Sequence, residues 1–338
     1  MQKRKRVAIN GFGRIGRLTA RIILNSCPEL DLVAVNDLTS PDNLAYLFAH
    51  DTTYKQLPYE VTTQDNYLIV KKDDLDQKIL VFAEKDPALL PWEDLEIDVV
   101  LECTGLFLTT DLASKHLQAG AKQVLLSAPA KDDQIATVVL GVNNKKSILQ
   151  NRIISNASCT TNCVAPALRV LIENLEVQSV IGQTVHAYTA SQVLQDGPNK
   201  KDFRDGRAAA QNLIPSHTGA AKAVIKVIPE LEGKVSLSSL RVPVITGSMV
   251  FLSVFVRDKH LTQRMVNDLF EEAANTYLNG ILEFSQDELV SSDIVGNPHS
   301  TILDSKLTEV VDRHIKLVLW YDNEWGYANR LVDLAKSF

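Results

Sequence analysis

Cys27, Cys103, Cys159 and Cys163 are the cysteines of the 338-residue chain, and Cys159 stands where a thiol can be made reactive. In Ser155-Asn156-Ala157-Ser158-Cys159-Thr160-Thr161-Asn162-Cys163, small polar residues lead into an apolar helical pattern. A cysteine at a helix N-terminus meets unpaired N–H groups and the positive end of the helix dipole, and both favour a thiolate. The same N–H groups can hold the oxyanion formed when a thiolate adds to a carbonyl. Cys163 lies one turn further in and reads as a small buried hydrophobe, the ordinary state of a free cysteine. A nucleophilic cysteine needs a base. His186, in Thr184-Val185-His186-Ala187-Tyr188-Thr189, closes an apolar strand and opens a long polar loop, a common place for exposed chemistry. His50, His116, His217, His260, His299 and His314 lie in helical, loop or strand contexts without a comparable neighbourhood. Spacing alone does not join His186 to Cys159, and a strand-end histidine satisfied locally is the ordinary alternative.

A second local pattern speaks to a cofactor. Asn10-Gly11-Phe12-Gly13-Arg14-Ile15-Gly16 holds a G-x-G-x-x-G run between the apolar Val7-Ala8-Ile9 and a helical pattern that starts at Arg14. In that setting Gly11 permits a tight turn, Gly13 lets the backbone approach a pyrophosphate, and Gly16 lets the helix pack closely on the sheet. The helix then offers its free N–H groups to the phosphates, with Phe12, Arg14 and Ile15 completing the turn. The glycines alone are a weak signal, because such a turn often merely joins strand to helix. Asp37 strengthens it, since it ends the second strand about 20 residues on, where an acidic group meets the adenosine ribose hydroxyls. A carboxylate there repels a 2′-phosphate, so the pattern selects NAD over NADP. A strand-end turn residue in Asn36-Asp37 is the alternative.

These residues need elements to position them. Val7–Ile9, a helix from Arg14 to about Cys27 and Leu32–Val35 form a β-α-β unit. Further strands are expected at Tyr67–Val70, Ile79–Val81, Val99–Glu102, Gln123–Leu126 and Thr137–Gly141, with a helix at Asp111–Ala119. Short apolar runs without alternation suit strands covered on both faces. The first half is therefore expected to be α/β, a Rossmann-type doubly wound dinucleotide domain over residues 1–156. Beyond it, a helix at Thr161–Asn174, strands at Val177–Val185, Ser236–Pro243, Ser248–Val256 and Ile315–Tyr321, and a helix at Leu261–Leu278 suggest an α+β catalytic domain. That domain, 157–322, is expected to carry a largely antiparallel sheet. A helix from about Gly326 to Lys336 within 323–338 is expected to return to the first domain. The polar stretch Ser191–Ala208 reads as a long ordered loop, usually a functional feature.

A content of 45% hydrophobic and 22% charged residues is that of a soluble globular protein, and the length suits two domains. The net charge of -6 gives no support to nucleic-acid binding, and the basic Lys3-Arg4-Lys5-Arg6 run reads as a solvated lead-in to the first strand. No stretch approaches the roughly 20 apolar residues that span a bilayer, so no membrane partner is expected. Val7–Asn10 is too short for the apolar region of a signal peptide, about 7–15 residues, and a cytoplasmic location is expected. The cysteine spacing suggests neither a disulfide framework nor a zinc ribbon, and no metal site is expected.

Taken in order, several longer runs resemble one family. Ile9–Arg17, Ala157-Ser158-Cys159-Thr160-Thr161-Asn162-Cys163 and Trp320-Tyr321-Asp322-Asn323-Glu324-Trp325-Gly326-Tyr327 are similar to segments of the phosphorylating, NAD-dependent glyceraldehyde-3-phosphate dehydrogenases. Ile214-Pro215, Thr218–Ala223 and Arg241-Val242-Pro243 match between them, so the likeness spans nearly the whole chain. The resemblance implies that Cys159 attacks the aldehyde of glyceraldehyde 3-phosphate and that His186 pairs with the thiolate and then acts as base. It implies a thioester split by inorganic phosphate. Thr189 and Arg241 would hold the substrate's phosphate, and Ser158, Thr160, Thr218 and Gly219 the attacking one. It also assigns Lys85, Ser127 and Asn323 to the cofactor, Asn323 at the nicotinamide amide. The 191–208 loop resembles one that lies against the cofactor of a neighbouring subunit, which implies a homotetramer, with Arg204 and Arg207 anchoring the loop through ion pairs.

The chain departs from the family at Val244, Ile245 and Phe251, where Thr and later Asp are usual, and this leaves assembly details open. Lys85 replaces an arginine, and Asp51-Thr52-Thr53-Tyr54 an Asp-Ser-Thr-His, changes that bear on cofactor affinity. The nearest rival reading, an erythrose-4-phosphate dehydrogenase, typically lacks the Tyr188-Thr189-Ala190 and Gly219–Ala223 segments found here. Against an NADP-preferring photosynthetic form stand Asp37 and Pro198. A non-catalytic binding or adhesion protein of the same fold would have no need of the retained nucleophile, base and phosphate pockets.

Overall fold

The computed structural model describes residues 3–72, 75–146, 150–200 and 202–338. Its contacts divide the chain into two compact units, the first formed by Met1–Val138, Asn144–Ala157 and Ala328–Phe338 and the second by Val139–Asn143 and Ser158–Tyr327. The sequence placed the breaks at 156/157 and 322/323; the contacts place them at 157/158 and 327/328 and give 139–143 to the second unit.

In the first unit the strands are β1 (Lys5–Asn10), β2 (Leu30–Asn36), β3 (Glu60–Gln64), β4 (Tyr67–Lys72), β5 (Leu75–Phe82), β6 (Val99–Glu102), β7 (Gln123–Leu126), β8 (Ala136–Thr137) and β9 (Ile153–Ser155). They line up as β3-β4-β5-β2-β1-β6-β7-β9-β8. Pairing is parallel from β5 across to β8, and only the β3-β4-β5 edge is antiparallel. Chain order reverses between β1 and β6, which opens the crevice in which such doubly wound sheets bind dinucleotides. The middle strands are covered on both faces, which is why they read as unbroken apolar runs. Val7, Ala8 and Ile9 of β1 and Val99, Val100 and Leu101 of β6 are wholly buried. Each larger side chain among them contributes about 1.5–3 kcal/mol.

Helix α1 (Arg14–Ser26) follows β1, α2 (Pro41–Ala49) follows β2, and α3 (Thr110–Gln118) lies between β6 and β7. Thr109 caps α3 by accepting from the Leu112 N–H. The expected strand at Thr137–Gly141 shrinks to β8. Past Thr137 the chain turns back on itself, with the Val142 N–H donating to the Val139 carbonyl and Asn143 Oδ1 accepting from the Val139 N–H.

In the second unit, α4 (Cys159–Asn174) leads into β10 (Val177–Ala187). There follow β11 (Ile214–Ser216), α5 (Ala220–Val227), β12 (Val235–Val242), β13 (Ser248–Val256), α6 (Gln263–Asn275), β14 (Leu282–Ser285), β15 (Thr301–Asp304), β16 (Glu309–Val311) and β17 (His314–Tyr321). The sheet order is β11-β12-β10-β13-β17-β15-β14, with β16 against β17. Its long central pairs, β10 with β13 and β13 with β17, are antiparallel, whereas β10–β12 and β14–β15 are parallel. Buried and open residues alternate along β13, as they must when only one face of a sheet is covered. Helix α7 (Trp325–Lys336) closes the chain, and its residues from Ala328 onward belong to the first unit.

Candidate active site

The glycine-rich turn of the first unit behaves as three different glycines. Gly11 has φ of 91°, and a Cβ there would come within 2.7 Å of the Thr104 nitrogen. A Cβ on Gly16 would come within 2.2 Å of the Gly11 carbonyl oxygen, so the start of α1 rests directly on the turn. At Gly13 a Cβ would meet nothing within 4 Å. That open side, next to a helix start whose N–H groups no side chain caps, is what a pyrophosphate requires. Asp37 lies at the end of β2, where Oδ2 accepts from the Phe12 N–H at 2.8 Å and Oδ1 from the Thr39 N–H. Its carboxylate is thereby fixed beside the turn. These residues fit a dinucleotide with unphosphorylated ribose hydroxyls.

Arg14 is engaged by an ion pair to Asp51 and lies over the Tyr54 ring, 5.7 Å from its centroid. Tyr54 thus fills its departure position with a contact of its own. Ile15 is half-buried in the first turn of α1, and Lys85 is exposed in the loop after β5. Ser127 follows β7, its N–H donating to the Glu102 carbonyl, and its side chain bonds to the Cys103 thiol. Burial pushes that thiol up to about 12.

In the second unit, Cys159 is the first residue of α4 and Ser158 is its cap, its Oγ accepting from the Thr161 N–H. Ala157, just before, holds φ of 55° although it has a side chain, a left-handed kink of the kind found at functional sites. Cys159 Sγ lies 3.4 Å from His186 Nε2. The parallel register of β10 and β12 sets His186 directly beside Arg241, and Arg241 Nη1 reaches His186 Nδ1 at 2.6 Å. The Ala187 carbonyl oxygen is also 2.6 Å from Nδ1 and accepts from Arg241 Nη1 at 3.3 Å. The carbonyl calls for a proton on Nδ1, the guanidinium for a bare nitrogen.

Burial first, and then the Arg241 charge, push His186 down to about 3, against the pull of the Ala187 carbonyl. Burial also raises the Cys159 thiol, while Arg241 and the Thr160 N–H and hydroxyl draw it back. Burial thus works against the thiolate–imidazolium pair that the family likeness implies. It is the larger cause at both groups, and the Arg241 charge adds to it at His186 while opposing it at Cys159. Cys163 is wholly buried against Thr301, and its thiol is raised by that burial.

The remaining expected residues fall into two groups. Thr160 is buried beside Cys159, its hydroxyl 3.1 Å from the Tyr321 hydroxyl. Asn323 Oδ1 accepts from the Ser248 hydroxyl at 2.8 Å and the Thr246 hydroxyl at 3.4 Å, which fixes the orientation of the amide. Thr189, Thr218 and Gly219 sit on loops with local bonds. The Thr189 and Ser191 hydroxyls are 2.9 Å apart, and Thr218 Oγ1 accepts from the Ala220 N–H just past Gly219, where α5 begins. In the polar loop Arg207 pairs with Asp196 at 2.9 Å, and Arg204 donates its backbone N–H to Asp202.

A family model for the glyceraldehyde 3-phosphate dehydrogenase C-terminal domain matches residues 158–323, and one for the NAD binding domain matches residues 5–110. The chain belongs to the glyceraldehyde-3-phosphate dehydrogenase family. It is 51% identical over 329 residues to a glyceraldehyde-3-phosphate dehydrogenase of Kitasatospora aureofaciens, covering 97% of each chain. Identity is 47% to one from Chlamydia pneumoniae, with 98% of both chains covered, and 49% to one from Mycobacterium avium, with 98% of this chain and 97% of the other. The protein is thus an NAD-dependent oxidoreductase with a Rossmann domain and a catalytic C-terminal domain. Among the described residues no helix is long and apolar enough to cross a membrane.

Sequence reading passed over a supporting layer around this pair. Tyr321 is almost wholly buried, its hydroxyl 2.9 Å from Thr184 Oγ1 and its ring edge-on to His186 with centroids 5.9 Å apart. Burial raises its phenol well above the ordinary value. Ser248 accepts from the Ala187 N–H at 3.0 Å while donating to Asn323. Tyr321 and Asn323 stand close together in one run, yet the link from Ser248 depends on the β13–β17 register, which pairs Ser248 with Tyr321.

Proposed function

We propose that this protein oxidises glyceraldehyde 3-phosphate to 1,3-bisphosphoglycerate with NAD and inorganic phosphate, through a hemithioacetal and a thioester on Cys159. The 3.4 Å approach of Cys159 Sγ to His186 Nε2 at the start of α4 carries this reading, together with the family membership. Bound NAD supplies the hydride acceptor. The N–H groups at the start of α1 would hold its pyrophosphate and Asp37 its ribose hydroxyls. Lys85 and Ser127 would add contacts, and Asn323, fixed by Ser248 and Thr246, would hold the nicotinamide amide.

The chain's own groups account for the other steps. Cys159 Sγ forms a bond to the aldehyde carbon as its proton passes to His186 Nε2. The N–H groups opening α4 hold the developing oxyanion, and Nε2 returns the proton to that oxygen to give the hemithioacetal hydroxyl. His186 Nε2 takes the hydroxyl proton of the hemithioacetal as the C–H bond gives up its hydride, which leaves a thioester. A phosphate oxygen then attacks the thioester carbonyl, the C–S bond breaks, and Cys159 departs as thiolate from the acyl phosphate. Thr189 and Arg241 are assigned to the substrate's own phosphate, since a guanidinium suits a dianion. Ser158, Thr160, Thr218 and Gly219, with their hydroxyls and the N–H groups at the start of α5, are assigned to the attacking phosphate. A phosphate on Arg241 offsets the second of the two causes that depress His186, burial being the first, and so makes the imidazole a stronger base.

Cys159→Ser tests the scheme. NADH formation that requires both glyceraldehyde 3-phosphate and inorganic phosphate should disappear, while NAD binding persists. A variant that keeps most of its activity would remove Cys159 from the mechanism.

The same reading includes a homotetramer in the cytoplasm. Leu194 and Phe203 of the polar loop are each 88% exposed, and Ile245 and Phe251 also show apolar surface. Apolar side chains displayed in this way suit contact with another copy. Light scattering of the purified chain tests the assembly, and a monomer would overturn it.

A further inference from the structure

The first unit contains a buried polar chain that the family match and the scheme above leave without a role. Asn10, Asn36, Glu102 and His116 are all buried, Glu102 and His116 completely, and Trp92 is wholly buried beside them. Trp92 Nε1 lies 3.1 Å from His116 Nδ1, and His116 Nε2 lies 3.1 Å from Glu102 Oε2. Asn10 Nδ2 donates to the same Oε2 at 2.5 Å, and Asn36 Nδ2 donates to Asn10 Oδ1 at 2.7 Å. Asn36 Oδ1 accepts from the Glu84 N–H, and Asn36 Nδ2 also reaches the Glu84 carbonyl. On the far side, Glu102 Oε1 accepts from the Thr104 N–H at 2.8 Å and contacts the Thr104 hydroxyl.

Each arm of this chain has only one direction, and both end on Glu102. An indole N–H can only donate, so His116 Nδ1 must be bare and His116 must be the neutral Nε2–H tautomer. A backbone N–H at Glu84 fixes the other end, which sets the Asn36 and Asn10 amides. Every donor converges on Glu102, which must accept on both oxygens and is therefore the carboxylate. Its place in the fold gives the arrangement meaning. Asn10 leads into the glycine turn, Asn36 immediately precedes Asp37, and Thr104, held by Glu102, is the residue against which Gly11 packs.

We propose that Glu102 is a positioning residue for NAD. Through these one-way arms it sets the ends of β1, β2 and β6 against one another, so that the N–H groups at the start of α1 and the Asp37 carboxylate face the dinucleotide together. His116 and Trp92 fix its acceptor role. The inference rests on placing NAD against the Gly11 turn and Asp37.

Glu102→Gln is the test, because either orientation of the new amide sets an N–H against an N–H. NAD titration of the apo protein should show Kd raised about tenfold, as expected for a charged hydrogen-bond acceptor replaced by an amide. Adding Trp92→Phe removes the donor that locks the imidazole. His116 can then present a bare Nε2 to the new amide, which removes one of the two donors facing it and leaves Asn10 Nδ2, so Trp92→Phe/Glu102→Gln should recover part of the NAD affinity lost in Glu102→Gln. A residue with a merely structural role would lower the melting temperature without changing Kd, and would gain nothing from losing a second buried group. A Kd within twofold of wild type in Glu102→Gln, or no recovery in the double variant, overturns the proposal. Nitrogen NMR of the wild-type chain needs no variant to fold, and a proton on His116 Nδ1 would overturn it as well. Asp37→Asn is the separate control. An unchanged Kd there removes the placement of NAD itself, whereas an unchanged Kd in Glu102→Gln alone removes only the role given to Glu102.

Discussion

The two compact units prepare for their ligands with different materials. In the first, the prospective ligand-facing surface is largely backbone: N–H groups at the start of α1, a glycine where no side chain intrudes, and one carboxylate held by the Phe12 N–H. In the second, it is a set of side chains from separate elements, with Cys159 from α4, His186 from β10 and Arg241 from β12, backed by Tyr321 from β17. A site made of backbone is damaged by adding atoms. One made of side chains is damaged by removing them.

That contrast can be broken by experiment, and the sharpest attempt is His186→Asn. Turnover should fall by about 10²–10⁴-fold, the usual contribution of a positioned base, with NAD affinity unchanged. Loss of NAD binding in this variant would blur the division between the units. Gly16→Ala attacks the other side by addition, since its Cβ would press on the Gly11 carbonyl at 2.2 Å. Overpacking of this kind costs about 1–3 kcal/mol, read as a lower melting temperature together with weaker NAD binding. Should Gly16→Ala melt and bind as the wild type does, the close seat of α1 is not needed.

Arg241→Gln removes a charge from the second unit, and its expected signature is a raised KM for the phosphorylated aldehyde, by about tenfold or more. Without the guanidinium, His186 should also rise from its depressed value of about 3, which the pH profile of Cys159 alkylation would report. Asp37→Asn should weaken NAD by about tenfold and narrow its preference over NADP, the loss expected for a charged hydrogen bond. Equal discrimination before and after would clear Asp37 of that role.

A separate effect is on stability. His186 binds its proton less readily in the folded chain, at about 3, than in the unfolded one, near the ordinary 6.5. Between those values the unfolded state holds more protons, so stability rises with pH through this window and falls as the pH drops below about 6.5. His186→Asn should flatten that part of the curve, seen as a melting-temperature difference between wild type and variant that changes from pH 7 to 4. A constant difference would mean that His186 keeps an ordinary proton affinity in the fold.

Glycines, strand runs and helix starts could be read directly because their causes are local. Val99–Glu102, Gln123–Leu126 and Ser248–Val256 coincide with the expected strands, since an uninterrupted or alternating apolar run reports its own burial. The failure at Thr137–Gly141 has the opposite origin. Its apolar residues are indeed buried, but Val139 and Leu140 belong to the second unit and no strand pairing holds them. The short elements α2, α5, β14 and β15 carried too few residues for a periodic signal. His116 shows the limit most clearly. In sequence it is an unremarked helical histidine, and in space it is the link between a tryptophan and a buried carboxylate.

By itself the sequence determined the turn at Gly11–Gly16, the acidic end of β2 and the cysteine at a helix start, because each requires only neighbouring residues. Tertiary structure alone decided that His186 meets both Cys159 and Arg241, because residues 27 and 55 positions away reach it through strand register and helix placement. It also decided the protonation of the imidazole, since burial and a neighbouring guanidinium are properties of the packed chain and have no counterpart along it.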